Sequence, residues 1–323
     1  MPLQTGQILN NRYRIERLLG QGGFGAVYQA WDTSLDGSVA LKESLETTPA
    51  AQKQFHLEAK ILFQLRHPNL PRVSDYFSIP GQGDYLLMDY IEGQDLGARL
   101  LETGQPLPVD EVLRHISQVA DALIYLHAQN PPVIHRDIKP TNIRIASNGQ
   151  AILVDFGIAK LFTEGSATLT GARAITPGYS PPEQYGMGAT DARSDVYALG
   201  ATVYHLLTGK QPPASVDVLS GSQPPPPSLS QANPSLSPAL SAVVEKAMRP
   251  NRADRLGSIA EFKQMLLAAY PQSAPPGGPS ITMNEIHEAS SLIQAAAHDD
   301  ANIIWGVVID EAAGQLVALL LVP

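Results

Sequence analysis

The most informative stretch of this chain is His135-Arg136-Asp137-Ile138-Lys139-Pro140-Thr141-Asn142, followed after a short gap by Asp155-Phe156-Gly157. It supplies an Asp, a Lys and an Asn at fixed offsets in one loop, and then a second Asp in front of a Phe-Gly pair. One acid can accept a hydroxyl proton, while the second acid and the amide can hold magnesium against phosphates. Together the two motifs predict the arrangement that phosphoryl transfer from ATP needs.

Both motifs resemble those of the eukaryotic-type (Hanks-type) protein kinases, in their bacterial Ser/Thr branch. The resemblance implies an α+β, bilobal protein kinase fold with a β-rich N-lobe and a helical C-lobe, followed by a small helix plus β-hairpin tail. It also implies ATP and Mg²⁺ as cofactors, and Ser or Thr of protein substrates as the phosphoryl acceptor. The expected parts are an N-terminal extension at 1–12, the kinase domain at 13–270 (N-lobe about 13–91, C-lobe about 92–270), a Pro/Gly linker at 271–280 and a tail at 281–323.

The resemblance assigns a role to each polar residue of the loop. Asp137 is expected to orient the substrate hydroxyl and accept its proton, and Lys139 to neutralise charge on the transferred phosphoryl group. Thr176 resembles the threonine that bonds both of them in Ser/Thr kinases. Asn142 and Asp155 are expected to bind Mg²⁺, because they offer hard oxygen ligands.

A glycine-rich stretch near the N-terminus, Gly20-Gln21-Gly22-Gly23-Phe24-Gly25, is expected to contact the phosphates. Glycines let backbone N–H groups approach a phosphate that side chains would obstruct. The same glycine pattern opens dinucleotide-binding folds, but there a helix follows at once, whereas apolar alternation from Ala26 to Trp31 predicts a strand. The resemblance pairs Lys42 with Glu58 and places Lys42 on the α and β phosphates; a solvated helix acid is the alternative for Glu58.

The resemblance also outlines a site for adenine and ribose. The backbone of Asp89-Tyr90-Ile91 is expected to face adenine, Met88 to guard the pocket behind it, and Asp95 to contact the ribose. The expected contacts of the nucleoside are Val27, Ala40, Met88, Asp89, Ile91, Asp95 and Arg144.

Arg144 departs from the family pattern, which has an apolar residue under the adenine at this position. An arginine stem can lie flat against a purine while its charge reaches solvent, so binding is not forbidden. The departure therefore concerns nucleotide affinity and not the chemistry.

Residues 155–183 resemble an activation segment whose closing motif reads Pro-Pro-Glu. We predict autophosphorylation on Thr168 and Thr170, because the added negative charge would pair with Arg136, which Lys160 could join. Loop threonines without a role are the alternative.

Helices and scaffold residues complete the prediction for the kinase region. Apolar periodicity predicts helices over Gln54–Leu65 and Val112–His127. By resemblance, Asp195 braces the backbone of the catalytic loop and Arg255 pairs with Glu183. The proline run from Pro212 to Pro238 is expected to be extended loop.

The sequence of the tail at 281–323 predicts a helix with one apolar face, followed by a β-hairpin. Its stretches at 300–306 and 308–311 resemble the C-terminal subdomain of the FtsZ-type cell-division GTPase, over about 40 residues and without GTP-binding loops, so no GTPase activity is expected. Two strands alone are marginally stable, so the tail is expected to bury itself. We hypothesise self-association or docking to a cell-division protein; packing against its own kinase lobe is the alternative.

The composition of the chain limits which other classes of protein it can belong to. The net charge is −9, of which the tail carries −6, so a nucleic-acid partner is disfavoured. No apolar run reaches the roughly 20 residues of a membrane helix, and the N-terminus lacks a signal-peptide pattern, so no membrane anchor and a cytoplasmic location are expected. The absence of cysteine fits a reducing compartment. The rivals to a protein kinase are a small-molecule kinase and a catalytically weak nucleotide-binding scaffold whose tail recruits a partner.

Overall fold

A six-stranded antiparallel sheet forms the N-terminal lobe in the computed structural model of the protein. Its strand order is β1-β2-β3-β4-β6-β5. Strand β3 alternates between buried and partly buried side chains, which is the period of a strand with one face on a core. The strands are β1 Ile8–Leu9, β2 Tyr13–Gly22, β3 Gly25–Asp32, β4 Gly37–Ser44, β5 Val73–Ile79 and β6 Gly83–Asp89.

The structure describes residues 3–22, 25–44, 48–155, 175–186 and 189–270, and the backbone of 304–310 and 315–321. The side chain of Glu58 is not described. The predictions for Gly23, Phe24, Lys160, Thr168 and Thr170, and for a helix in the tail, lie outside these residues.

Helix α1, Pro49–Gln64, is the helix of the N-terminal lobe, and it begins five residues earlier than the sequence predicts. Thr48 is its N-cap and accepts a hydrogen bond from the backbone N–H of Ala51. Pro49 takes the first helical position, where its missing N–H has no helical partner to lose. Apolar periodicity does not reveal this first turn, because the turn contains no apolar stripe.

The C-terminal lobe consists of helices around α3, with a small sheet on the side of the first lobe. Apolar residues of α3 are buried on one face, and the predicted helix over 112–127 lies within it. The helices are α2 Leu96–Thr103, α3 Val109–His127, α4 Ala192–Thr208, α5 Ser215–Leu219, α6 Leu229–Ala232, α7 Pro238–Ala247 and α8 Ile259–Ala269. The small sheet contains β7 Gly93–Asp95, β8 Ile143–Ala146 and β9 Ala151–Leu153, in that order.

The proline run is not all extended loop, and this part of the prediction was wrong. Helices α5 and α6 both lie within it. Ser228 and Gln231 form a capping box, in which each side chain bonds the backbone N–H of the other residue. This local pairing starts a short helix directly after four prolines.

Two hydrophobic clusters cover the two faces of the N-terminal sheet. Leu41 belongs to the outer cluster, and Ala40 belongs to the large cluster that also contains Ile143 and Leu153 of the C-terminal lobe. Alternate residues of a strand share a face, so Lys42 lies on the same face of β4 as Ala40. The sheet therefore turns the face that carries Lys42 toward the second lobe.

The linker and the tail together, Pro271–Pro323, form a second unit. Its strands β10, Ile304–Asp310, and β11, Gln315–Leu321, form an antiparallel hairpin in which Trp305 is opposite Leu320. Among the helices that the structure describes, none has both the length and the apolar character needed to cross a bilayer.

Candidate active site

A hydrogen-bonded network surrounds the carboxylate of Asp137. Lys139 Nζ donates to Asp137 Oδ1 at 3.1 Å and to Oδ2 at 2.8 Å. Thr176 Oγ1 donates to Asp137 Oδ1 over 2.7 Å and accepts a hydrogen bond from Lys139 Nζ over 3.2 Å. Asn142 Nδ2 donates to the backbone carbonyl of Asp137 at 2.7 Å and to Oδ2 at 2.9 Å. The structure thus brings three of the other predicted residues to the carboxylate of Asp137.

The network keeps Asp137 ionised at neutral pH, although little of its side chain is exposed. Burial alone would raise the pKa of Asp137. The charge of Lys139 and the hydrogen bonds from Lys139 and Thr176 act the other way and hold this pKa below its ordinary value. A fixed, ionised carboxylate can accept the proton of a hydroxyl group placed within hydrogen-bond reach.

Asp195 holds the backbone that leads into this network. Its carboxylate accepts hydrogen bonds from the N–H of His135 at 2.9 Å and from the N–H of Arg136 at 2.8 Å. Arg136 has a φ of 67°, a left-handed conformation that only a surrounding scaffold stabilises in a residue with a side chain. Asp195 lies in the first turn of α4, where the helix dipole favours a negative charge.

His127 also contacts Asp195, and sequence reasoning missed it. Its Nε2 lies 2.8 Å from Asp195 Oδ2, at the end of α3. Burial alone would raise the pKa of Asp195, whereas the hydrogen bond and charge of His127 lower it, and the net shift is downward. The sequence offers no motif spacing for this contact, because it joins residues of two different helices that lie 68 positions apart in the chain.

A buried ion pair anchors the segment that follows Thr176. Arg255 donates to Glu183 Oε1 at 2.7 Å and to Oε2 at 2.9 Å, and the Arg255 side chain is fully buried. Burial alone would raise the pKa of Glu183, but the hydrogen bonds and charge of Arg255 hold it below its ordinary value. Gln184, which the sequence analysis did not single out, donates from Nε2 to the backbone carbonyl of Arg136 at 2.8 Å. The end of the segment is therefore tied to the catalytic loop.

The two predicted magnesium ligands lie at adjacent strand ends. Ile143 of β8 pairs with Leu153 of β9, and the N–H of Val154 donates to the backbone carbonyl of Asn142 at 2.8 Å. This pairing places Asp155 beside Asn142. Asp155 is exposed and has a φ of 53°, a second left-handed residue in the site.

This donor set fits Mg²⁺, which is commonly held by one or two protein oxygens together with substrate phosphates. Both bonds of the Asn142 amide nitrogen go to Asp137, so the amide carbonyl oxygen remains for a cation. Within the described ranges, no cluster of three or more His, Asp or Glu forms a metal site from protein ligands alone. Asn142 and Asp155 would hold the ion, and the ion would neutralise phosphate charge.

Gly20 and Gly22 belong to the glycine-rich stretch and lie at the end of β2, and packing does not require either to be glycine. A Cβ built at Gly20 or at Gly22 meets no atom within 4 Å, and neither residue has a positive φ. Gly25 differs, because a Cβ there would lie 2.3 Å from the backbone oxygen of Glu43. Gly25 is therefore explained by the close approach of β3 and β4. The open space beside Gly20 and Gly22 fits a phosphate group that approaches the backbone.

Three side chains predicted to contact the nucleoside form hydrogen bonds with the protein backbone. Arg144 Nε donates to the backbone carbonyl of Ile91 at 3.0 Å, and Arg144 Nη2 donates to the carbonyl of Gly93. Asp95 caps α2, with Oδ1 accepting from the N–H of Ala98 at 2.8 Å. Asp89 Oδ2 accepts from the N–H of Arg72 at 2.9 Å. Arg144 thus fixes the connection between the lobes.

Known proteins with this arrangement identify the family. A family model described as a protein kinase domain matches residues 13–268. The chain belongs to the protein kinase family. The kinase fold predicted from the two motifs is therefore confirmed.

Similar proteins include several bacterial kinases. The kinase is 36% identical over 281 residues to the serine/threonine-protein kinase pkn3 of Myxococcus xanthus, covering 82% of this chain and 51% of that protein. It is 35% identical over 289 residues to the serine/threonine-protein kinase PknA of Mycobacterium tuberculosis, covering 85% of this chain and 65% of PknA. The crystal structure of the M. tuberculosis PknI kinase domain superposes with a TM-score of 0.66 and 30% identity, covering 83% of this chain and all of that one. The chain therefore spans about half to two thirds of the length of these curated relatives.

Replacing Thr176 by Ala in the kinase is expected to lower phosphoryl transfer by about ten- to a hundredfold. The hydroxyl bonds both Asp137 and Lys139, and a hydrogen bond to a charged group contributes about 1.5–3 kcal/mol. Initial rates at saturating ATP measure the effect. Thr176→Ser keeps the hydroxyl and is the matched control, so an equal loss in both variants would contradict the role of the hydrogen bonds.

Proposed function

We propose that this chain is a serine/threonine protein kinase that transfers the γ-phosphoryl group of ATP, with Mg²⁺, to Ser or Thr of protein substrates. The observation that carries the proposal is the contact of Lys139 and Thr176 with the ionised Asp137. Asp137 orients the acceptor hydroxyl and takes its proton. Lys139 lies close enough to that carboxylate to neutralise negative charge on the group being transferred.

The N-terminal lobe supplies the phosphate contacts in this proposal. The backbone of Gly20 and Gly22 has open space beside it, which supports direct contact with phosphate oxygens. Lys42, on the face of β4 that is turned toward the second lobe, would bind the α and β phosphates. Glu58 of α1 would orient Lys42. Asn142 and Asp155 would hold Mg²⁺.

Arg144 would form the lower wall of the adenine site. Its two bonds to the carbonyls of Ile91 and Gly93 fix the guanidinium beside the connection between the lobes. Guanidinium planes stack well on aromatic rings, so the departure from an apolar residue is compatible with a bound purine.

Regulation by phosphorylation completes the proposal. Phosphate on Thr168 or Thr170 would add charge of about −2, which an arginine can pair with. Arg136 is 9% exposed and lies beside the network, so a phosphate bonded to it would act directly on the catalytic loop.

Incubation of the purified protein with radiolabelled ATP and Mg²⁺ tests this function. We expect label in the kinase itself and in a general protein substrate, on phosphoserine and phosphothreonine, with Thr168 and Thr170 among the mapped autophosphorylation sites. Lys42→Met is the control variant and is expected to abolish the label. Label restricted to phosphotyrosine, or none in either protein, would overturn the proposed activity; active protein with both threonines unmodified would overturn only the regulation.

We further propose that the tail mediates self-association or binds a cell-division protein. Both faces of the hairpin carry apolar residues at paired positions, such as Val307 with Ala318 and Val308 with Val317. A two-stranded sheet with two apolar faces needs cover on both sides. Light scattering of the full chain and of a chain that ends at residue 280 checks this. If the tail self-associates, the full chain is expected to have a larger mass than one monomer. A monomer mass for both chains would exclude self-association and leave only binding to a cell-division protein.

A further inference from the structure

A pocket of about 190 Å³ lies in the C-terminal lobe, apart from the network around Asp137. Its walls come from α4, α5, α7 and the proline segment between α5 and α6. None of the residues assigned to nucleotide, metal or proton transfer lines it. The apolar lining includes Tyr197, Tyr204, Val218, Pro226, Val244 and Met248.

Prolines and local hydrogen bonds constrain one wall of this pocket. Prolines fix the φ angles of residues 225–227, which form one wall. The segment is held at one end by Gln223, whose N–H donates to the carbonyl of Asp217 at 3.1 Å, and at the other end by the capping box of Ser228. A preformed pocket loses little conformational entropy on binding.

The size and shape of the pocket suit one aromatic ring. A cavity of about 150 Å³ in a protein core accommodates benzene, so about 190 Å³ has room for a ring and the carbon that carries it. Tyr197 and Tyr204, both buried, line the pocket together with Pro225, Pro226 and Pro227, so a ring inside it would contact mainly apolar ring atoms. Aromatic side chains seated in such pockets are the usual anchors of protein interfaces.

Two opposite charges border the same pocket. Glu245 and Arg249 are both exposed, lie four residues apart, and form no ion pair with each other in the described part of the chain. Glu245 Oε1 accepts a hydrogen bond from Ser241 Oγ at 2.6 Å, so Oε2 is the acceptor that Glu245 offers, and the Arg249 guanidinium offers donors. A peptide backbone presents an N–H and a C=O beside every side chain, so this pair complements a peptide better than it complements an ion of either sign.

We propose that this pocket binds a Phe or Tyr side chain of a polypeptide partner, with Glu245 accepting from the backbone N–H and Arg249 donating to the backbone C=O of that partner. The site shares a wall with the segment that carries Thr176. Ser215 lines the pocket and its Oγ donates to the carbonyl of Ser180 at 2.8 Å. Tyr197 belongs to one hydrophobic cluster with Tyr179, and Met248 packs against that cluster. A bound peptide is thereby held next to the segment that contacts Asp137.

Methyl NMR of the full chain, labelled at methionine methyl groups, tests the site without depending on phosphoryl transfer. The probes are N-acetyl-phenylalanine methylamide, the leucine analogue, and p-cresol. We expect the phenylalanine probe to shift the Met248 signal upfield, saturably, through the ring current, and the leucine probe to leave it in place. Met248→Leu assigns the signal. Val218→Phe, which fills the pocket, is expected to abolish the shift, whereas Val216→Phe on the same helix but outside the lining is the matched control.

The charged pair has its own test. Glu245→Gln and Arg249→Gln are surface changes, and each is expected to weaken the phenylalanine probe by about threefold or more while leaving p-cresol unchanged. No shift of Met248 at millimolar probe would overturn the site. Binding of the phenylalanine probe that is insensitive to both charge variants, and equal to that of p-cresol, would overturn the polypeptide partner and leave a pocket for small aromatic compounds.

Discussion

Replacing Asp137 by Asn lowers phosphoryl transfer by about a thousandfold, because general-base contributions range from about a hundred- to ten-thousandfold. The amide has nearly the same shape as the carboxylate but cannot accept the proton. It also removes the negative charge that both Lys139 and Thr176 bond, so the position of Lys139 is weakened as well. Single-turnover rates at saturating ATP measure the loss.

The matched control for this variant is Asp121→Asn. Asp121 also bonds a lysine, Lys263, but its carboxylate is 48% exposed on α3 and belongs to no part of the site. We expect its activity to stay within about twofold of wild type. Unchanged activity in Asp137→Asn, in protein whose thermal unfolding equals that of wild type, would remove Asp137 from the mechanism.

The residues that could be found from sequence are those whose partners lie close by in the chain or at a spacing that a motif fixes. Asp137, Lys139 and Asn142 lie within six residues, so their convergence follows from one loop. Gln184 bonds the backbone of that loop and His127 bonds Asp195, which holds it, and the local sequence of neither residue predicts the contact. Their contacts depend on helix packing, which periodicity does not specify.

The errors in secondary structure have local physical causes. The first turn of α1 depends on Thr48 and Pro49, a capping signal without apolar periodicity. Helix α6 depends on the pairing of Ser228 with Gln231, which the neighbouring prolines obscured. In both places the side-chain bonds at a helix end outweighed the composition of the segment.

Arg255→Met is expected to lower the free energy of unfolding by about 3–5 kcal/mol, which is the usual cost of removing one partner of a buried ion pair. The Arg255 side chain has no exposed surface and bonds both oxygens of Glu183. It also donates to the backbone carbonyls of Arg249, Arg193 and Pro250. Its removal leaves Glu183, only 7% exposed, as an uncompensated charge. Urea unfolding followed by circular dichroism measures the loss.

Unfolding measured at acid pH tests whether the ion pair is the source of that loss in unfolding free energy. The pKa of Glu183 is lowered from about 4.5 in the folded state, so its contribution is present above pH 4.5 and disappears as the pH falls through the lowered value. The difference in the free energy of unfolding between wild type and Arg255→Met should therefore become smaller below about pH 4.5, because protonated Glu183 carries no charge for the arginine to compensate. Arg252→Met removes an exposed pair with Asp191 at 3.3 Å and should cost at most about 1 kcal/mol. A gap that stays constant from neutral to acid pH would assign the loss to packing and to the three carbonyls, and not to the charge of Glu183.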